Sequence, residues 1–587
     1  MPHHRCTRPQ EKPRQPKQAG TSRKPVLIIC LLLIISLLYQ IKPAYSRTLQ
    51  VPTDFNTIQE AVNNATAGDT ILVAPGIYPE HVVVTKSLTI VGEDPETTIV
   101  DGTANDTVFD LEASNVHITG LTIRNAGNSH NAITSEREIV TNDYHQITNN
   151  IITTSQYGVL LSYSKSNTIF NNTFINNPFS GICLMSADNT DVTSNTILES
   201  AYGIDITSST NVAVADNDIS QTSYAVRLTA SSTGNTIRRN LMSGQTVGVY
   251  SSSDSITVDH NTIVDGAYGI YLYNCMDASI YHNTLMNNSY GIRIYMPSSA
   301  SSSHNINNNK IMNADWAIDL TYAHNNLFTG NWIQRNTYGI YMSFSSSNTI
   351  YHNNFVTNNM EANAGTGAGN LWDTNGEGNY WSDYEGEDLD GDGIGDTSYR
   401  IAPIGYDNYP LMHTWSEHDI SIQSVTPSTN EAYPGEIVNI TVTVRNNANI
   451  SVLETFNVTA KYDGSIIDTK AVSDLAQGAT ETLTLHWNTT GVESGDYTIR
   501  ADASIVSDEL NTDDNSFTDG TVRIDGLLLG DINGDGAVNN DDLGLLTQAF
   551  GSTSISPNWN SEADLNKDDV IDVRDLEMLC NNYGETV

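Results

Sequence analysis

Residues 257–295 read TVDHNTIVDGAYGIYLYNCMDASIYHNTLMNNSYGIRIY, and one pattern occurs in them twice. His260-Asn261-Thr262-Ile263 returns as His282-Asn283-Thr284-Leu285, and Tyr268-Gly269-Ile270 returns as Tyr290-Gly291-Ile292. Both markers advance by 22 residues, so a single structural unit repeats. Outward from this stretch the aromatic-Gly-aliphatic triplet recurs at Tyr157-Gly158-Val159, Tyr202-Gly203-Ile204 and Tyr338-Gly339-Ile340. Looser copies centre on Gly181, Ala225, Gly248 and Ala317. The steps between centres from 158 to 339 are 23, 22, 22, 23, 21, 22, 26 and 22. An Asn register follows at Asn150, Asn172, Asn195, Asn217, Asn240, Asn261, Asn283, Asn309, Asn331 and Asn353, each with an apolar residue two positions later. The unit is short, rich in Val, Ile, Thr and Tyr, and has no apolar stripe of 3.6-residue period. That excludes helical solenoids and predicts a β-solenoid of short parallel strands stacked at about 4.8 Å. Stacked Asn side chains can satisfy the backbone of the bend and the amide of the next turn. The central Gly permits a backbone approach that a Cβ would hinder.

Strand alternation assigns the faces. Positions +1 and +3 after the central Gly or Ala are mostly apolar, as in Ile204/Ile206, Ile270/Leu272 and Ile340/Met342, and point inward. The preceding aromatic falls inward or at a corner, where packing explains it better than a sugar platform. Position +2 points outward and gives the ladder Leu160, Cys183, Asp205, Arg227, Tyr250, Tyr271, Arg293, Asp319, Tyr341. Asp205 and Asp319 are five turns apart, about 24 Å at strand spacing, too far to act as a hydrolytic carboxylate pair. Each is next to an Arg on the ladder, which reads as a cross-turn ion pair. Tyr250, Tyr271, Tyr341, Arg227, Arg293, Asp205 and Asp319 are candidates to meet a glycan. A decorated structural sheet accounts for them about equally well. The insertion Asn125–His145, with Glu136, Glu138 and Asp143, has no readable register and leaves room for a catalytic site. His260 and His282 precede ladder Asn residues on adjacent turns, about 5 Å apart. As a copper site the pair is thin, and solvent-facing stacked histidines are the preferred reading.

The chain of 587 residues carries 68 acidic and 27 basic residues, for a formal charge of −41. That length predicts several domains. The acidity speaks against nucleic acid and fits divalent cations, although most of the carboxylates must simply be solvated. Residues 1–46 form the exception, with a basic start, the apolar run Val26–Tyr39 and the small-x-small site Ala44-Tyr45-Ser46. They read as a secretory signal or, if uncleaved, a membrane anchor. Of five cysteines only Cys183, Cys275 and Cys580 lie beyond it, which is no disulfide framework.

Three segments carry cation chemistry. Asp388, Asp390, Asp392 and Asp396 form D-x-D-x-D-G-x-G-D, the alternating oxygens that a hard ion requires. Near the C-terminus, Asp531, Asn533, Asp535, Ala537 (through its carbonyl), Asn539 and Asp542 occupy positions 1, 3, 5, 7, 9 and 12 of a calcium loop. Asp564, Asn566, Asp568, Val570, Asp572 and Asp575 repeat it 33 residues later. Amphipathic segments, Leu543–Phe550 and Leu576–Tyr583, follow the two loops. Between coil and loops, Ile437–Val444 and Glu481–Trp487 alternate as strands, and turn signals at Pro434-Gly435, Asp463-Gly464 and Ser494-Gly495 predict an Ig-like sandwich.

The opening segment Val51–Gly102 resembles the N-terminal cap of pectin-lyase-like β-helices, with Thr57–Asn64 as its capping helix. Together with the closing segment Gly378–Met412 (GNYWSDYEGEDLDGDGIGD…YDNYPLM), the PbH1-type repeats resemble NosD-type right-handed parallel β-helix proteins over roughly residues 48–415. That family is named for a periplasmic copper-maturation protein, and many relatives are cell-surface proteins grouped with carbohydrate modules. PGExVxITVTVRN and GDYTIRADAS resemble a CARDB domain. The duplicated loop-helix unit, Gly530–Gly584, resembles a type I dockerin with Asp569 where Gly is usual. The dockerin resemblance implies calcium and a cohesin-containing surface protein as partner, contacted at Asn540/Asp541 and Val573/Arg574. The expected domains are 1–46 signal or anchor, 47–415 parallel β-helix with a calcium-loop cap, 418–525 sandwich and 529–587 dockerin. The expected function is that of an exported, extracellular or cell-surface calcium-binding protein whose coil binds polysaccharide or glycoprotein. A polysaccharide lyase or glycoside hydrolase with unassigned catalytic residues is second, and NosD-like copper handling third. Contact with a membrane is expected only through the N-terminal segment.

Overall fold

The computed structural model describes residues 46–297, 301–525 and 528–586, with the side chains of residues 137–142 excepted. The proposed signal segment, apart from its last residue Ser46, thus lies outside the described residues. Among those residues no helix is long and apolar enough to cross a membrane.

From Thr48 to Trp381 the chain winds as a parallel β-solenoid with three faces. In the stretch quoted above, Thr257–Asp259 belongs to the first sheet, Thr262–Val264 to the third and Tyr268–Tyr273 to the second. The first and third sheets have 14 strands each and the second has 13. The inward positions are as alternation predicts: Ile204, Ile206, Ile270 and Leu272 are fully buried. The Gly column is a point of close backbone approach. A Cβ on Gly248 would stand 2.5 Å from the carbonyl oxygen of Gly269 in the next turn, which no real side chain tolerates.

The bend between the first and third sheets explains the Asn register. The residue before each ladder Asn adopts the left-handed conformation, for example Asn171 (φ 54°), Asp216 (φ 58°), His260 (φ 54°), His282 (φ 53°) and His352 (φ 57°). Asn, Asp and His are the non-glycine residues that enter this region most readily. The ladder Asn then turns inward. Asn261 Oδ1 accepts from the Asn240 backbone N–H at 3.0 Å and from Asn240 Nδ2 at 2.9 Å. Its own Nδ2 donates to Ile237 O at 2.8 Å and to Asn283 Oδ1 at 3.0 Å. The same linkage runs from Asn150 to Asn379 and ends on Asp407, whose Oδ2 accepts from the Asn379 N–H at 2.7 Å and from Trp381 Nε1 at 2.8 Å. Burial pushes the Asp407 carboxyl up to about 6, although these hydrogen bonds favour the anion. A shorter Asn column, Asn326–Asn348–Asn370, lines another bend.

Both ends of the coil are covered. At the start, α1 (Ile58–Asn64) is capped by Thr57, and its first N–H groups at Ile58 and Gln59 donate to the two oxygens of Glu80 at 2.9 Å each. At the other end Phe355, Trp381 and Tyr399 stack at 4.4 and 4.3 Å. Leu411 bridges both Tyr380 and Ile394, which ties the Asp-rich segment to the last turn. The sandwich follows as a three-stranded sheet (Ile420–Pro427, Ile437–Asn446, Thr480–Asn488) on a five-stranded one, around Ile440, Val442, Leu485, Trp487, Val458 and Ile499. It leans on the coil through Lys310 Nζ to Leu510 O at 2.7 Å, while Trp415 in the connection stacks on His352 at 4.7 Å. The C-terminal unit has two helices, α2 (Asn540–Ala549) and α3 (Val573–Asn581). Each starts three residues before the amphipathic segment read from the sequence. Asn539 and Asp572, at loop position 9, serve as helix N-caps in capping boxes closed by Asp542 and Asp575.

Candidate functional site

The outward ladder of the second sheet is a real column. Leu160, Cys183, Asp205, Arg227, Tyr250, Tyr271, Arg293, Asp319 and Tyr341 are consecutive pairing partners from turn to turn. Its carboxylates are covered by neighbours: Asp205 is 3 % and Asp319 7 % exposed. Arg227 grips Asp205 with two bonds, Nε to Oδ1 at 2.9 Å and Nη2 to Oδ2 at 2.6 Å, and its guanidinium lies 3.8 Å over the Tyr202 ring. Arg293 Nε is 3.4 Å from Asp319 Oδ2, with its guanidinium 4.9 Å from the centre of the Tyr290 ring. Burial pushes the Asp319 carboxyl up, and Arg293 offsets part of that. The aromatic before each central Gly is half-buried at the corner. Tyr268, Tyr290, Trp316 and Tyr338 stack along the coil at 4.9, 4.7 and 5.8 Å with nearly parallel rings. Tyr271 stacks on Tyr268 at 5.2 Å and meets Tyr250 edge-on at 5.6 Å. Corner column and ladder therefore form one surface of aromatic faces and edges with two guanidinium groups, that of Arg227 hydrogen-bonded to Asp205 and that of Arg293 ion-paired with Asp319. That joint surface was not visible in the sequence, which treated the two columns separately.

The Asn125–His145 insertion becomes the strand Ile133–Asn142, in register with the second sheet through Ile133↔Val159 and Thr134↔Leu160. Glu138 lies outside the described side chains. Asp143 is fully buried in the coil and accepts from Ser114 Oγ at 3.0 Å, so it is not on the outer face. Glu136 is exposed. The register also brings in a residue that sequence reading missed: Asp110 pairs with Thr134 on the same column. Burial first, then the nearby Glu112 and Glu136 charges, push the Asp110 carboxyl up. His260 and His282 stack at 5.0 Å, close to the spacing expected of adjacent turns.

The Asp-rich closing loop curls around its own carboxylates. Asp388 Oδ1 accepts from Gly391 N at 2.7 Å, Asp388 Oδ2 from Gly393 N at 2.9 Å, and Asp396 Oδ2 from Leu389 N at 2.7 Å. Asp388, Asp390 and Asp392 place oxygens within 4.8 Å of one another. In the first C-terminal loop Asp531 accepts from the N–H groups of Gly534, Asp535 and Gly536, and Asp542 from those of Ile532, Asn533 and Asn539. The second loop repeats this with Asp564 and Asp575. Asp569 takes the left-handed conformation (φ 64°) that Gly536 takes (φ 85°), so the residue change leaves the turn intact. Buried first and last carboxylates, with backbone N–H groups fixing their orientation and side-chain oxygens of Asn and Asp between them, suit a hard, oxygen-seeking cation. The cohesin-contact candidates Asn540, Asp541, Val573 and Arg574 are exposed in the first turns of α2 and α3. Asn540 accepts from Tyr583 Oη at 2.7 Å, and Arg574 donates to Asp568 at 3.1 Å.

Comparison with known proteins bears on the coil first. The family described as periplasmic copper-binding protein (NosD) matches residues 62–254, 178–300 and 296–386, more than half of the chain. The chain belongs to the NosD family. CARDB matches residues 417–519 and the dockerin type I domain residues 529–582. A probable ABC transporter binding protein NosD of Pseudomonas aeruginosa is 36 % identical over 83 residues, which is 14 % of this chain and 19 % of that protein. A cell surface glycoprotein of Methanothermus fervidus is 33 % identical over 104 residues, 17 % of each. The chain thus spans about a fifth of the length of the curated relatives it matches. Among solved structures, the A-module of an Azotobacter vinelandii mannuronan C-5 epimerase is 15 % identical, covering 55 % of this chain and 92 % of its own, with a TM-score of 0.31. A NosD-type coil joined to CARDB and dockerin modules fits a modular protein of the cell surface.

Proposed function

We propose that this NosD-family protein works outside the cell as a binding module. Its second-sheet surface holds polysaccharide or glycoprotein, and its calcium-loaded dockerin docks to a cohesin-bearing partner. The observation that carries the glycan reading is the joint aromatic surface, where Tyr250, Tyr271 and Tyr341 lie beside the stacked corner rings. Sugar rings stack on such faces, and the Arg227 guanidinium, fixed by two hydrogen bonds to the buried Asp205, presents an oriented donor to hydroxyl or carboxylate groups at little entropic cost. In the dockerin, calcium would be held by Asp531, Asn533, Asp535, the Ala537 carbonyl, Asn539 and Asp542, and by Asp564, Asn566, Asp568, the Val570 carbonyl, Asp572 and Asp575. Asp388, Asp390, Asp392 and Asp396 would form a third site that fastens the end of the coil.

The test is retention of the calcium-loaded chain on a panel of acidic and neutral polysaccharides, with reducing ends and unsaturated products measured in the same wells. Replacing Tyr250 and Tyr271 by Ala is expected to weaken retention at least about tenfold, equivalent to about 1.4 kcal/mol. Unchanged retention refutes the assignment. A pull-down on cohesin modules tests the partner, with V573A/R574A as the losing variant.

A second reading, a polysaccharide lyase or hydrolase, is favoured by the carboxylates Asp110, Glu112 and Glu136 at one end of the same surface. An acid pushed up by burial and by neighbouring carboxylates is the kind of proton donor that such chemistry uses. Product release by the wild type and its loss in D110N would establish it.

A further inference from the structure

The bend between the first and third sheets places one left-handed residue per turn on the outside of the coil. In two consecutive turns that residue is a histidine, and the rings of His260 and His282 stack 5.0 Å apart, 20° from parallel. The sandwich brings Asp508 against them, from the segment joining Gly495–Ala503 to Ser516–Ile524. Asp508 Oδ1 is 2.7 Å from His260 Nε2 and 3.6 Å from His282 Nδ1. One donor atom from each of the three residues lies within 4.8 Å of the others. Behind His260, Asp259 Oδ2 stands 3.6 Å from Nδ1.

We propose that His260, His282 and Asp508 form a site for a divalent first-row transition metal that fastens the sandwich to the coil. Two imidazole nitrogens and one carboxylate oxygen suit zinc or copper(II), not calcium, which takes six to eight oxygens. Ligand bonds of about 2.0–2.2 Å put neighbouring donor atoms roughly 3–3.5 Å apart around a tetrahedral ion. The distances of 2.7 and 3.6 Å to the shared Asp508 oxygen straddle that range. A His–Asp ion pair uses one imidazole and leaves the second unexplained. His282 Nδ1 is buried without a hydrogen-bond partner and faces the same oxygen. Two stacked imidazoles also repel each other when protonated, whereas a metal is bound by their neutral forms. Asp259 occupies the place of the carboxylate that orients a metal-bound imidazole from its far side. The ligands come from two modules, so ion binding and docking of the sandwich stabilise each other. Sequence reading saw the two histidines as a coil-only pair. The third ligand, 226 residues beyond His282, comes from the tertiary structure alone.

The test uses the full chain, stripped with a chelator and held in excess calcium so that the calcium loops are filled. Zinc, and copper(II) in a separate arm, are titrated by calorimetry into wild type, H282A, D508N and D259N. Wild type is expected to take up one equivalent of each metal that H282A and D508N bind at least about 100-fold more weakly. D259N is expected to lose about tenfold. Zinc should also raise amide-exchange protection of residues 504–515 in wild type and not in D508N. Circular dichroism and melting in calcium confirm that each variant is folded. Equal stoichiometry and affinity across all four chains overturn the proposal. So does displacement of the metal by calcium to the same extent in wild type and variants.

Discussion

Asn283 lies midway along the ladder, and its replacement by Ala tests what holds the coil together. The side chain is fully buried. Its Oδ1 accepts from Asn261 N at 2.9 Å and Asn261 Nδ2 at 3.0 Å, and its Nδ2 donates to Val258 O at 2.8 Å, Tyr281 O at 3.0 Å and Asn309 Oδ1 at 3.0 Å. Alanine strands the Asn261 backbone N–H in a dry bend and removes donors from two carbonyls and one amide oxygen. A buried donor left unpaired costs about 1–3 kcal/mol, and each net hydrogen bond lost beyond that about 0.5–1.5 kcal/mol. The expected destabilisation is therefore about 3–5 kcal/mol. In a solenoid whose turns contact only their neighbours, it should be felt locally. The assay is amide exchange on the full chain, together with urea unfolding. Protection should fall in the turns between Asn261 and Asn309 and persist near Asn150. The exposed neighbour substitution His260→Asn, which keeps a residue tolerant of the left-handed bend, should leave that protection unchanged in metal-free buffer. A loss below about 1 kcal/mol with exchange at Asn261 unaltered would falsify the ladder as a structural element.

Removing calcium with a chelator should melt α2 and α3, because Asp531, Asp542, Asp564 and Asp575 are then buried acids with no cation, while the β signal of the coil persists. Far-UV circular dichroism with and without calcium checks this. Asp569→Gly should stabilise the calcium-loaded dockerin by about 0.5–1 kcal/mol by relieving a left-handed non-glycine residue, read as a higher melting point. A fall would mean that the Asp569 side chain contributes directly. Burial, followed by the charges of Asp514 and Glu509, pushes the Asp419 carboxyl at the base of the sandwich up to about 8. The folded state favours its protonated form. That contribution to stability is complete below the ordinary carboxylate range and is lost as pH rises through about 8. Asp419→Asn should therefore stabilise the sandwich by about 2–4 kcal/mol at pH 7 and by almost nothing at pH 4, read from melting curves across that range.

The sequence by itself determined the coil, its period, its inward residues and the order of the nine ladder positions from Leu160 to Tyr341. These follow from strand alternation and a constant step, which are local properties of the chain. It also placed the loop carboxylates, since the twelve positions of such a loop are contiguous. It did not reach the insertion, where an irregular step removed the register that places Asp110 and Glu136 on the ladder's face, and it could not bury Asp143. Nor could it start α2 and α3 at Asn540 and Val573, because the caps are loop residues doing two jobs. Only the tertiary structure decided that the corner aromatics and the outward ladder share one surface, which depends on how sharply the coil bends between faces. It alone brought Asp508 to His260 and His282. No periodicity links a sandwich loop to a coil turn more than two hundred residues earlier; the packing of one folded module on another puts them together.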